Sequence, residues 1–304
     1  MIPPPEKVVI AGGTGLVGTA LWKALQSQGH RVLLLSRRSS ATRFPPGVTL
    51  HPWERLEEAL SGAAAVFNLA GEGIAEHRWT PSRRLSLLES RTLPTRRIVE
   101  ALGRVQGPRV LVNASAVGYY GARDHQPVDE GFPPGEGFLP EVCQAWEAEA
   151  GAARALGIRV VKLRLGPVLS TEGGVLPRLV RLVRWGLGSK LGSGEQGMSW
   201  IHLEDLVRIL VEAALNPAFE GVYNAVAPRS VSNKSFISTL GRLLHRPILP
   251  VPGWLTATVL KMALGDLAEE MILTGAFVRP ARLLAQGFEF RYPDLEGALA
   301  DLLK

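Results

Sequence analysis

Residues 8–18 read VVIAGGTGLVG, and the fold class follows from them. Val8, Val9 and Ile10 form a short β-branched run closed by glycine, which suits a strand buried on both faces of a parallel sheet. Apolar residues from 16 to 26 then recur with helical spacing. Gly12, Gly15 and Gly18 fall at three-residue intervals across the junction. Strand, glycine turn and helix together are the setting in which a glycine motif becomes a dinucleotide site. Gly12 allows the tight turn, Gly15 lets the backbone approach a pyrophosphate, and Gly18 lets the helix lie close to its strand. The start of the helix offers N–H groups and the positive end of its dipole to the phosphates.

Working outward, residues 31–35 (RVLLL) form a second buried strand ending at Ser36-Arg37-Arg38. An NAD site places Asp or Glu here for the ribose 2′-hydroxyl, whereas arginine accommodates a 2′-phosphate. No acid occurs between Glu6 and Glu54, so NADP(H) is the expected coenzyme. Further strands are expected at 48–51, at 63–69 closing on Asn68-Leu69-Ala70-Gly71, at 109–113 running into Ala114 and Ser115, and at 159–165. Helices are expected at 56–60, 81–102 and 141–156. This alternation requires an α/β fold, a Rossmann-type doubly wound parallel sheet with helices on both faces. Ligands then lie beyond the carboxyl ends of the strands, where Ser115 stands. The helix over 81–102 carries Arg83, Arg84, Arg91, Arg96 and Arg97; Arg91 could face the site, and most of the set reads as solvated.

The pattern changes after Gly166. Leu176, Leu179, Val180, Val183 and Leu187 make one apolar helix face, with Arg178, Arg181 and Arg184 on the other. That basic stripe could meet a substrate diphosphate, although a solvated face is the commoner reason for one. A helix over 206–215 and a returning strand near 222–226 follow, and the rest is helical with proline breaks. The expected organisation is a coenzyme-binding domain over 1–165, joined by the returning strand. A smaller, mostly helical substrate lobe over 166–304 includes a C-terminal module from about residue 236.

Bulk properties narrow the function. The 304 residues carry a net charge of +6, but the arginines are spread along the chain with no aromatic-interleaved basic patch, so nucleic-acid binding is not expected. No apolar run is long enough to span a membrane, and no leader precedes the first strand, so a cytoplasmic location without membrane partners is expected. A single cysteine, Cys143, fits a reducing compartment. Six scattered histidines argue against a metal site.

GGTGLVG, NLAG, SAVGYYG, RLGPVL, SWIHLEDL and VYNAVAP stand in an order that resembles the extended short-chain dehydrogenase/reductases, the epimerase and dehydratase branch. The ending RPARLLAQGFEFRYPDLEGAL resembles members that close on a small module of unknown function. The resemblance implies that Gly12, Thr14, Gly15, Leu16, Val17 and Gly18 hold the pyrophosphate. Ser36, Arg37 and Arg38 would bind the 2′-phosphate, and Leu69, Ala70 and Gly71 would line the adenosine and ribose path. Ala114 would approach the nicotinamide, flanked by Leu165, Pro167 and Val168. Ser115 would hydrogen-bond the reacting oxygen. A nucleotide sugar or other polar carbonyl or alcohol is the implied substrate, and a homodimer is compatible with the chain.

One part of the family pattern is missing. Its chemistry usually rests on Tyr-x-x-x-Lys on the helix after the fifth strand, where the lysine charge lowers the tyrosine pKa from about 10 toward neutrality. Here that helix reads EVCQAWEAEA, with Val142 and Trp146 at the matching spacing, and no lysine occurs between Lys23 and Lys162. Tyr119 or Tyr120 could take the role of acid with Arg123 nearby. Cys143 could also act, although a lone helical cysteine is more often a buried small hydrophobe, and Glu141 or Glu147 could serve if partly buried, although exposure is the commoner state of such residues. Two functions stay open: an NADP(H)-dependent oxidoreductase or epimerase, and an NADP(H)-binding, non-catalytic, redox-responsive interaction protein.

Overall fold

The computed structural model describes residues 6–36, 44–75, 77–123 and 126–304. Seven parallel strands make the main sheet: β1 (Lys7–Ala11), β2 (Arg31–Ser36), β3 (Val48–Pro52), β4 (Ala65–Asn68), β5 (Val110–Ala116), β6 (Arg159–Leu165) and β10 (Gly221–Ala225). Their order is β10-β6-β5-β4-β1-β2-β3. The chain therefore reverses its direction of winding between β1 and β4, and a ligand crevice opens at that point.

Helices cover both faces, and β1 shows how its residues are shared between them. Val8 and Ile10 join a core with α1 (Leu16–Ser27) and α6 (Leu203–Leu215). Val9 and Ala11 face the opposite way, toward α2 (Leu56–Leu60), α3 (Pro81–Leu102) and α4 (Phe138–Gly151). A strand buried on both sides has no reason to alternate with polar residues, which is why VVIA is uniformly apolar. The helix expected over 206–215 starts three residues earlier, capped by the His202 imidazole, which accepts from Glu204 N–H.

Two short strand pairs lie outside the main sheet: β7 (Val168–Leu169) with β9 (Ile201–His202), and β8 (Gly197–Met198) with β11 (Val231–Ser232). A further core gathers Leu176 and Val183 of α5 (Leu176–Arg184) and Trp200. It also takes in Phe236 and Leu240 of α7 (Asn233–Leu243) and Leu299 of α10 (Leu295–Leu302). Leu187 was expected on the buried face of α5, but it lies beyond the helix end and is exposed. The helix α8 (Gly253–Leu264), a single π-helical turn (Ala268–Ile272), α9 (Ala281–Ala285) and short 3-10 turns at Trp53–Arg55, Val117–Tyr120 and Ala152–Leu156 complete the described elements. Among the described residues, no helix is long and apolar enough to cross a membrane.

Candidate active site at the carboxyl ends of the strands

The glycine turn connects β1 to α1, and each glycine meets a different constraint. Gly12 has φ +79°, and a Cβ there would stand 2.5 Å from the Leu69 carbonyl oxygen. A Cβ on Gly18 would collide with the carbonyl of Gly12, so α1 can pack this tightly on β1 only without a side chain. Gly15 differs: its nearest neighbour would be Gly12 O at an ordinary 3.5 Å, and the residue is exposed. The space above Gly15 is therefore open, beside the unpaired N–H groups that begin α1. No side chain caps this helix. Thr14 is exposed, while Leu16 and Val17 are half-buried. Leu16 touches the loop after β7 at Gly173 and Gly174. Ser36 closes β2; Arg37 and Arg38 lie outside the described residues.

Beyond β4, the Asn68 side chain ties neighbouring elements together. Its amide donates to Asn113 Oδ1 and to Thr95 Oγ1, both at 2.7 Å, and its Oδ1 accepts from Ala70 N–H. The backbone of Leu69-Ala70-Gly71 is thereby held against the glycine turn. Ala114 is buried in β5; Leu165, Pro167 and Val168 are half-buried around the end of β6.

The strand carrying Ser115 runs three residues further than expected, so this serine sits within β5 rather than after it. Its hydroxyl donates to Glu147 Oε1 at 2.8 Å, and the side chain is almost fully enclosed. Glu147 was expected to be exposed, yet it is buried and grips Arg164 through two bonds, from Nε at 2.7 Å and Nη2 at 3.0 Å. Lys162 Nζ stands 3.9 Å from the same carboxylate. Glu141 is exposed, as read from the sequence. A buried carboxylate is stable only with such compensation.

The network continues outward. Arg164 Nη1 donates to the Tyr120 hydroxyl at 2.9 Å, and Tyr120 donates to Asn224 Oδ1 at 2.8 Å. Tyr120 is wholly enclosed, and burial pushes its phenol up to about 12. It supports the floor of the site and is not directed into it. Tyr119 lies half-buried, with the Arg164 guanidinium stacked 3.3 Å above its ring. Arg123 bonds to the carbonyls of Tyr120, Pro133 and Pro134, so its charge serves a loop rather than a tyrosine hydroxyl.

The α4 face that meets the end of β5 is not the row of Val142 and Trp146. Trp146 points to α3 and donates to Thr95 Oγ1. Leu139 and Cys143 stand beside Gly118, and Glu147 follows one turn later against Ser115. This i, i+4, i+8 row therefore presents an aliphatic side chain, a thiol and a paired carboxylate. Cys143 Sγ lies 3.6 Å from Ala116 O, and burial pushes the thiol up to about 11. The row thus carries neither the tyrosine nor the lysine of the family's usual chemistry.

Sequence reasoning gave no role to Asn68 or to the Glu147–Arg164 pair, whereas Arg91 was read as a residue that could face the site. A signal existed for the pair: RVVKLRL forms a strand flanked on both sides, so a charged residue within it needs a buried partner.

The chain belongs to the NAD dependent epimerase/dehydratase family, which matches residues 8–226. Residues 255–302 match a second family, described only as a domain of unknown function. An epimerase family protein of Mycobacterium tuberculosis is 40% identical over 292 residues, covering 96% of either chain. The crystal structure of human epimerase family protein SDR39U1 with NADPH superposes with a TM-score of 0.86. It is 35% identical, covering 97% of this chain and 98% of that one. A nucleoside-diphosphate sugar epimerase from Corynebacterium glutamicum is 33% identical with a TM-score of 0.79, covering 98% of this chain and 58% of its own.

Proposed function

We propose that this protein binds NADP(H) across the ends of β1, β4 and β5 and transfers hydride to or from a polar carbonyl or alcohol, a nucleotide sugar being one substrate class. The observation that carries the coenzyme reading is the open space over Gly15, between two glycines that leave no room for a side chain. Gly12, Thr14, Gly15, Leu16, Val17 and Gly18 would hold the pyrophosphate. Leu69 to Gly71 would line the ribose path, and Ala114 with Leu165, Pro167 and Val168 would surround the nicotinamide. Ser36, Arg37 and Arg38 would take the 2′-phosphate. The human relative solved with NADPH supports this choice of coenzyme. When bound, the coenzyme supplies the hydride; the chain orients it and excludes water.

In this reading Ser115 borders the reacting carbon. Its only proton is engaged by Glu147, so its oxygen is available as an acceptor. Residues 166–304, apart from α6 and β10 that belong to the main sheet and its covering layer, would form the lobe over the substrate.

A second reading, coenzyme binding without turnover, is favoured by the Leu139–Cys143 row, which lacks the tyrosine and lysine of the family's usual chemistry. A positioned acid or base contributes about 10²- to 10⁴-fold, so its loss slows catalysis without touching coenzyme affinity. Fluorescence titration with NADPH and NADH tests the coenzyme: tighter NADPH binding is expected, and equal affinities would remove the roles of Arg37 and Arg38. Single-turnover NADPH oxidation against carbonyl compounds and nucleotide sugars decides between the readings. Silence across the panel with intact binding would favour the second.

A further inference from the structure

Arg91 is half-buried on α3, and its partners are all uncharged. Nη1 donates to Leu87 O at 2.9 Å and Nη2 to Glu72 O at 3.0 Å, and the guanidinium lies 5.4 Å from the centre of the Trp146 ring. The neighbouring charges are already matched, Arg83 with Glu72 and Arg164 with Glu147. Among the described residues, no carboxylate forms an ion pair with Arg91. Cys143, the next titratable group, stays protonated and offers no negative charge. The Glu72 carboxylate is within electrostatic reach of Arg91 but is already paired with Arg83, so among the described residues two cations share one carboxylate here.

Its position gives that charge a meaning. A Cβ on Gly71 would lie 3.3 Å from Arg91 Cζ, so the guanidinium sits directly against the chain leaving β4. Cys143, close enough to Arg91 to feel its charge, meets Ala116 O at the end of β5. The charge thus stands between the two strand ends over which, in the coenzyme reading proposed above, the nicotinamide half must lie. NADP⁺ and NADPH carry the same phosphates, but the oxidised ring bears a positive charge and the reduced ring bears none. A cation partly withdrawn from water acts on a neighbouring charge more strongly than an exposed one.

We infer that Arg91 makes this site selective for the reduced coenzyme, by repelling the charged nicotinamide ring of NADP⁺ while tolerating the neutral ring of NADPH. The inference rests on the coenzyme reading, and the two fail differently.

Calorimetric titration of the full-length protein with NADPH and, separately, with NADP⁺ provides the test. NADPH is expected to bind tighter by about tenfold or more, the order expected for one uncompensated charge at partly buried range. In Arg91→Met, checked for folding by thermal melting, NADP⁺ affinity should rise toward that of NADPH. Arg91→Gln, which keeps an amide donor for the Glu72 carbonyl, replaces it if the methionine variant does not fold. Equal affinities in the unmodified protein would overturn the inference while leaving the coenzyme reading intact. So would a variant that weakens both forms alike, because the guanidinium would then be holding a phosphate. Binding of neither form would overturn the coenzyme reading and this inference with it.

Discussion

The two ends of the crevice are built from different materials. At the β1 end, the site is backbone: three glycines, a carbonyl at Leu69 and the free N–H groups of a helix start. At the β5 end it is side chains: Ser115, Glu147, Arg164, Tyr120 and Asn224 linked in one buried chain of hydrogen bonds, beside Arg91, which forms no ion pair among the described residues. The first end depends on the absence of atoms, which in the proposed reading suits a diphosphate that many reactions share. The second depends on charges whose partners come from distant parts of the chain, and in the same reading the reaction would be decided there. The β1 end carries the family's glycines, while the β5 end lacks the usual tyrosine and lysine.

Substitutions at the β5 end should produce the largest change in stability. Glu147→Ala would leave Arg164 enclosed without its carboxylate, at a cost of about 3–5 kcal/mol in urea or guanidinium unfolding. Replacing both residues by aliphatic ones of similar volume should recover most of that loss. A cost below about 1 kcal/mol for the single variant would mean that water reaches the pair.

The β1 end should separate binding from folding. Gly12→Ala places a methyl against Leu69 O at a positive φ and should destabilise the fold by about 1–3 kcal/mol. Gly15→Ala meets no protein atom closer than 3.5 Å, so melting should hardly move while NADPH affinity falls at least tenfold. If Gly15→Ala bound NADPH as the unmodified protein does, the open space over Gly15 would not be the phosphate site.

A pH titration gives the next effect in size. Because the Cys143 thiol ionises only near 11 in the fold, the native state keeps a proton that the unfolded chain releases above its ordinary value near 9. Stability is thus fully present below pH 9 and falls as pH rises toward 11, with a slope of at most about 1.4 kcal/mol per pH unit. Cys143→Ala should flatten that part of the profile. An unchanged slope would show the thiol to be more solvated than its position indicates.

Ser115→Ala should be the mildest for the fold, about 1 kcal/mol, since Glu147 keeps both bonds from Arg164. Its effect on chemistry is the sharper measure. If Ser115 borders the reacting carbon, turnover falls by orders of magnitude with coenzyme affinity nearly unchanged. Undiminished turnover would take Ser115 out of the reaction and leave it a structural role beneath α4.

The strands of the main sheet were legible because each is a short apolar run closed by a turn residue, and this pattern is local. Helices over 56–60 and 81–102 and the strand over 159–165 stand where periodicity placed them. The start of α6 was missed because its cap is a histidine, which does not stand out as Ser, Thr, Asp or Asn would. Glu147 was misjudged for a related reason. In EVCQAWEAEA nothing local separates the buried Glu147 from the exposed Glu141; only the arrival of Arg164, seventeen residues later in the chain, does so.

Residue order alone was enough to establish a strand, a side-chain-free turn and a helix start, and from these a dinucleotide fold of known winding. Glycine acts through what it lacks, and that can be read without coordinates. Which side chains share the far end of the crevice was decided only by tertiary packing. Charge pairing there, and the setting of Arg91 above all, depends on distances between elements that sequence spacing does not contain.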